Sequence, residues 1–137
     1  MSNICIIGHI SIDKIYNNKI KAESIGGPPC YSGLTCVNEG LDVEIYTKVG
    51  NDFPAEYESW LKENRIRMLN DKSELNTTSF KITKTKKRKQ LKLINKCEEI
   101  RIEKEKVEKY EGIILSPIVN ELDVKNNKLI NKLDKKI

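Results

Sequence analysis

The 137-residue sequence has one histidine (His9), one tryptophan, two phenylalanines and two methionines, and aromatic residues make up only 6% of it. Of its seven glycines only Gly112 lies beyond Gly50. Each shortage excludes a class of chemistry. A single histidine, with four cysteines (Cys5, Cys30, Cys36, Cys97) that never fall as Cys-x-x-Cys, makes a Cys/His zinc site unexpected. Nucleophilic catalysis with an imidazole base would have to use His9. Neither a Walker A loop nor a Gly-x-Gly-x-x-Gly fingerprint occurs anywhere. No apolar run approaches the roughly 18 residues of a membrane span. The first residues, Met-Ser-Asn-Ile-Cys-Ile-Ile-Gly, carry no basic flank and no small-residue cleavage site, so a cytoplasmic chain is expected. In that compartment a chain of this size has little need of disulfides, and all four cysteines read as small buried or half-buried hydrophobes.

What is present is charge and isoleucine. Charged residues are 33% and hydrophobic residues 38% of the chain, a globular composition of single-domain size. The net charge of +5 is unevenly spread. Residues 1–60 hold four Lys against eight acids, whereas residues 81–109 hold twelve Lys/Arg against five Glu, centred on Thr85-Lys86-Lys87-Arg88-Lys89. A basic run can contact phosphates, but at a hairpin tip it more often is a solvated turn, and no aromatic residues interleave it for base stacking.

Asn3–Ile12 is nearly continuous isoleucine-rich apolar sequence, which predicts one strand buried on both faces. A polar stretch, Tyr16–Lys21, leads to Gly26-Gly27-Pro28-Pro29 and a helix over Cys30–Glu39, with Leu34, Val37 and Leu41 inward and Gly40 as its stop. Alternation predicts a strand over Val43–Val49, and Gly50–Pro54 then turns into a helix over Ala55–Asn64. Ile66–Leu69 reads as a short strand. Thr78–Thr83 and Gln90–Ile94 read as an antiparallel hairpin joined by the basic turn, with Phe80 pointing into the core. Gly112–Leu115 reads as a buried strand stopped by Ser116-Pro117, and Val124–Ile137 has near-helical spacing. The sum is an α/β chain with a mostly parallel sheet, in which the Ile113–Leu115 strand is left as an exposed edge.

In such sheets ligands bind beyond the carboxyl ends of the strands. Asp13 sits at one such end, Gly26-Gly27 opens the first helix, and Asn51-Asp52 follows the second long strand. A carboxylate that accepts hydroxyl protons, beside glycines that admit a ligand close to the backbone, suits a sugar or other polyol. Singly, each has a stronger structural reading: Asp13 as a turn former, the glycines as a steric necessity, Asp52 as a helix cap or turn residue.

As an ordered set they resemble the N-terminal part of the PfkB (ribokinase-like) carbohydrate and nucleoside kinases. Ile4–Asp13 matches the family's first strand with its substrate-binding Asp, and Gly26-Gly27 its glycine pair. Gly40 and Gly50 match two further glycines, and Val49-Gly50-Asn51-Asp52-Phe53-Pro54 the Val-Gly-x-Asp turn. Thr77-Thr78-Ser79-Phe80 resembles the family's threonine-rich strand that begins the inserted β structure, and Leu115-Ser116-Pro117 also looks typical. The resemblance implies a ribokinase-like α/β fold with an antiparallel lid hairpin inserted at about 72–96, spanning 1–137 as the substrate-side part of the domain. It implies substrate contacts from Asp13, Gly26, Gly27, Tyr31 and Asn51, with no metal ligand. Tyr31 stands where many sugar-binding members carry an Asn, which puts a phenol suited to a ring or base face in place of an amide.

The family's Asp-Thr-x-Gly-Ala-Gly-Asp loop, which supplies the anion hole and the general base, has no counterpart here. ATP and Mg are therefore expected for a complete member and not for this chain alone, which reads as truncated and inactive by itself, with no catalytic residue. Expected partners are a small sugar or nucleoside, a second copy through the β insertion, or a separate C-terminal half. A small basic module binding nucleic acid or pairing with protein is the alternative. The kinase-fragment reading requires the Asp13 carboxylate to lie against the glycine pair and not in the hydrophobic interior.

Overall fold

The computed structural model describes residues 2–70 and 72–122, so the Val124–Ile137 periodicity lies outside the described residues. The described chain runs β1 (Asn3–Ile7), β2 (Ser11–Asn17), β3 (Ile20–Gly26), α1 (Pro28–Asn38), β4 (Asp42–Thr47), α2 (Ala55–Glu63), β5 (Ile66–Asn70), β6 (Ser79–Lys84), β7 (Lys89–Asn95), α3 (Lys104–Val107) and β8 (Gly112–Leu115). The strands form two sheets. The core sheet is all parallel in the order β5-β4-β1-β8, and the second sheet, the lid, has the order β3-β2-β6-β7.

Strand β1 lies in the interior of the core sheet, and its alternation feeds two hydrophobic layers. Ile4 and Ile6 join Val43, Ile45, Ile66 and Leu61 on the side of α1 and α2. Cys5 and Ile7 join Tyr46, Ile113, Val107 and Tyr110 on the opposite side, where the segment 100–110 covers the sheet. This two-sided burial is why the strands read as continuous apolar runs. Helix α1 packs close because Gly33 presents no side chain: a Cβ there would lie 3.3 Å from Ile66 Cδ1. Pro28 and Pro29 occupy its first turn, and Gly40 follows its end at φ +86°, a left-handed conformation that glycine adopts freely. Among the described residues β8 is an edge of the core sheet, as its sequence implies.

Three expectations are corrected. Asn3–Ile12 is not one strand: β1 ends at Ile7, and Gly8-His9-Ile10 carries the chain into the lid. Gly8 marks the break, since a Cβ there would lie 2.3 Å from Ser116 O. The apolar pattern runs through the break because Ile10 and Ile12 are as buried as the strand before them. Tyr16–Lys21, read from the sequence only as a polar stretch, is the tip of a hairpin, β2 and β3 paired through Asn17↔Ile20 with Asn18 at φ 55°. Its lysines hid the strand, because most of β3 is solvent-exposed. The expected 78–94 hairpin is present as β6 and β7 but is half of a four-stranded lid, joined by parallel pairing of β2 with β6.

The register of that lid also corrects Phe80. Asp13, Phe80, Leu93 and Ser24 form one cross-strand row, followed by Ile15, Ile82, Leu91 and Ala22 and then Asn17, Lys84, Lys89 and Ile20. Phe80 therefore lies half-buried on the lid face that carries Asp13, outside both core layers. Truncating Ile45, fully buried among the α1 and α2 contacts, to alanine will cost about 2–5 kcal/mol in urea unfolding. Lys86→Ser in the exposed turn will change stability by less than about 0.5 kcal/mol.

Candidate functional site

Strand β2 leaves the core through Ser11 and Ile12, which are buried, and presents Asp13 half-buried at the base of the lid. Antiparallel pairing sets Ser11 opposite Gly26 and Asp13 opposite Ser24. The Asp13 carboxylate leans back over Gly26: a Cβ on that glycine would lie 2.0 Å from Oδ2 and 2.8 Å from Oδ1. Gly27 is constrained differently. Its φ of +98° and ψ of 142° fall in a region reserved for glycine, and a Cβ there would lie 2.6 Å from the His9 carbonyl oxygen. The carboxylate is thus seated on Gly26, and Gly27, next in the chain, turns β3 into α1 against the His9 main chain.

Electrostatics at this point are those of a carboxylate short of partners. Burial pushes the Asp13 carboxyl above the ordinary aspartate value of 3.8, opposed by the Ser11 hydroxyl, which donates to Oδ1 at 2.8 Å, and by the positive charge of Lys89. Ser11 uses one of the lone-pair sites of a group that can accept about four hydrogen bonds, so capacity remains for an incoming donor. The buried Cys30 thiol, in the first turn of α1, is pushed up to about 12, mainly by burial and further by the Asp13 charge. That thiol is a packing group and no nucleophile at neutral pH.

The turn after β4 has a structural task. Asp52 Oδ1 accepts from the Thr77 backbone N–H at 2.8 Å and from the Thr77 hydroxyl at 2.8 Å, and Gly50 N–H donates to Thr77 Oγ1 at 2.9 Å. Gly50 is required there because a Cβ would lie 2.2 Å from Leu75 O. Asp52 thus acts as a turn residue that ties the core to the start of β6. Asn51 beside it is exposed, and Tyr31 is 63% exposed in the first turn of α1. Among the described residues no hydrogen bond or ion pair joins either residue to Asp13, whose side chain is held by Ser11. The sequence names His9 and Thr78 separately and does not join them to each other or to Glu121, yet all three are fully buried where the lid joins the core. A lone histidine and a distant glutamate carry no spacing that would have joined them.

Other features lie elsewhere. An open groove of about 740 Å³ between α2 and β5, lined by Glu58, Leu61, Lys62, Arg65 and Met68 among others, includes neither the lid nor the glycine turn. Among the described residues no group of three or more His, Cys, Asp or Glu side chains is placed to hold a metal ion, and no helix is long and apolar enough to cross a membrane.

No protein-family profile and no curated protein matches the chain. Solved structures do. A pyrophosphate-dependent kinase in the ribokinase family, complexed with a pyrophosphate analog and myo-inositol, superposes with a TM-score of 0.81 over 95% of this chain at 20% identity. The fructokinase of Halothermothrix orenii gives 0.79 over 97% at 15% identity. A sugar kinase of Pyrococcus horikoshii in complex with ATP gives 0.68 over 82% at 19% identity. The fold is ribokinase-like. The chain spans about half the length of these structures, 46%, 55% and 42% respectively.

Within the ribokinase-like fold the two glycines are predicted to respond differently to a methyl group. Gly26→Ala displaces the Asp13 carboxylate, a mobile side-chain end, and will cost about 1–2 kcal/mol. Gly27→Ala combines the forbidden backbone conformation with a clash against main chain and will cost more than about 2 kcal/mol, as urea unfolding of the two variants will show.

Proposed function

We propose that these residues form the acceptor-binding side of a ribokinase-family sugar kinase, which phosphorylates a sugar or nucleoside hydroxyl with ATP as donor. The observation that carries this reading is the half-buried Asp13 carboxylate seated on Gly26 beside the Gly27 turn. A carboxylate raised by burial, and without a cation in direct contact, gains from accepting hydroxyl protons of a polyol, whose O–H groups replace lost water. Pro28 and Pro29 remove two of the N–H groups that would make the start of α1 an anion site, which favours a neutral ligand at this end. Gly26, Gly27, Tyr31 and Asn51 complete the proposed contact set, with the Tyr31 phenol available to a ring face.

The described residues do not fit a nucleotide–magnesium site. They show no glycine-rich phosphate cradle and no acidic metal cluster, and on this reading the anion hole, the general base and any Mg ligands would lie on polypeptide other than the residues described. The basic turn is closed by reciprocal hydrogen bonds between Thr85 and Arg88 and stands exposed, as a solvated hairpin tip does, and the nucleic-acid alternative is not favoured.

Isothermal titration with myo-inositol, ribose, fructose and adenosine tests the reading. At least one ligand is expected to bind in the millimolar range, with binding abolished in Asp13→Ala; equal heats from both proteins would refute it. Asp13→Asn keeps the Ser11 contact and removes a charge whose folded pKa is raised. Ionised Asp13 weakens folding at any pH above that raised value, so the variant should unfold at an equal or higher urea concentration at pH 7 while losing the ligand.

The lid face that carries Asp13 supports a second copy as partner. Ile20, Leu91 and Leu93 on that face are 69%, 62% and 44% exposed, and with Ile15, Phe80 and Ile82 they form one apolar surface. Sedimentation should show a dimer that Leu91→Asp converts to monomer; a wild-type monomer would dismiss this partner.

A further inference from the structure

The passages between core and lid converge on His9. It stands between β1 and β2 and is fully buried. Its Nε2 lies 2.7 Å from the carbonyl oxygen of Glu98, just past β7. A carbonyl only accepts, so Nε2 carries the ring proton, and Nδ1 of the neutral ring accepts from the Thr78 hydroxyl at 2.8 Å. Thr78 Oγ1 in turn accepts from the Cys97 backbone N–H at 3.0 Å, and Thr78 O accepts from Ile12 N–H at 2.9 Å. One residue before β6 thus holds both the end of β7 and the strand that bears Asp13.

Glu121, beyond β8, closes the cluster from the core side and is also fully buried. Its Oε2 accepts from the His9 backbone N–H at 2.9 Å, and its Oε1 accepts from the N–H groups of Ile118 at 2.6 Å and Val119 at 3.0 Å. Oε2 also faces Nδ1 at 3.6 Å. In the neutral ring that nitrogen presents a lone pair to an oxygen acceptor, a contact that a proton would turn from repulsive to attractive. The surrounding charges are Lys48, paired with the Glu98 carboxylate at 3.1 Å, and Lys96, with the buried Cys97 thiol alongside. Burial holds His9 below its ordinary value of 6.5; Glu121 and the Glu98 carbonyl oppose that, and Lys96 and Lys48 reinforce it.

We infer that His9, Thr78 and Glu121 form a proton-operated latch at the root of the lid, in which neutral His9 holds Thr78 and thereby β6 and β2 against the core. A proton taken up from solvent at Nδ1 makes that nitrogen a donor, so the Thr78 O–H loses its acceptor, the charged Glu121 carboxylate outcompetes the Thr78 oxygen for the new N–H, and the lid strands are released. The latch is a property of the fold and requires no ligand, so it stands or falls apart from the acceptor-binding reading. Its direction follows from linkage. The open lid exposes a histidine of ordinary pKa, so the closed form is fully favoured above pH 6.5 and loses up to tenfold in population per pH unit as pH falls from there toward the lower folded value.

Because His9 is the only histidine, NMR titration of the imidazole signals of the full 137-residue chain reads this one ring. The expected midpoint lies below 6.5. Over the interval between that midpoint and pH 6.5, amide exchange in Ser79–Lys84 and Lys89–Asn95, corrected for the intrinsic pH dependence, should accelerate by up to tenfold per pH unit. Asn3–Ile7 and Asp42–Thr47 should keep their protection. Thr78→Val removes the hydroxyl donor and should raise the His9 midpoint. A wild-type midpoint at or above 6.5, lid exchange indifferent to pH, or lid and core amides accelerating together would overturn the latch, and these wild-type readings decide even if the variant does not fold.

Discussion

Close passage of the backbone at the junction of the two sheets is the constraint on which the rest of the structure depends. Gly8 passes Ser116, Gly26 lies under Asp13, Gly27 abuts the His9 carbonyl, and Gly50 meets Leu75, each within a distance that a methyl group would violate. Four of the seven glycines are spent there, and they let the chain cross at close range from a buried parallel sheet to a half-exposed lid. The polar groups released by breaking the strands at these crossings are then satisfied by side chains: Thr47 takes Ile10 N–H, Glu121 takes His9 N–H, Thr77 takes Gly50 N–H, and Asp52 takes Thr77 N–H.

That arrangement gives the candidate site its character. Asp13 belongs to the lid and the glycine turn belongs to the start of α1, so the carboxylate sits on its seat only while lid and core keep their relative placement. The same residues that hold the junction, Thr77, Thr78 and His9, therefore have a positional role in any ligand contact that Asp13 makes. Burial acts on Asp13 and His9 in opposite directions of pKa but with one cause: each is favoured in its neutral form by removal from water.

The Asp13–Gly26 part of the candidate site was legible in the chain of residues, because its signals are local. Asp13 ends an apolar run, Gly26-Gly27 precedes two prolines, and Gly50 follows an alternating strand, so residue type and spacing alone mark them. The turn role of Asp52 is likewise an ordinary property of an aspartate in a Gly-Asn-Asp turn. The break inside Asn3–Ile12 was not legible, because both halves are equally buried, in two different sheets. Strand β3 was hidden for the opposite reason: an exposed strand rich in lysine and glutamate has no hydrophobic period to read.

What the sequence by itself determined is therefore everything carried by short-range pattern: the parallel α/β core, the first helix with Gly40 as its stop, the basic hairpin tip and the acid-and-glycine candidates, whereas the helix start at Pro28 came from the structure. Tertiary structure alone decided which groups meet across long separations. Glu121 reaches back 112 residues to His9, and Thr78 reaches back 69 to the same ring. No periodicity encodes such a pairing, since it arises only when sheet order brings the ends of β1 and β8 side by side and the lid folds over them.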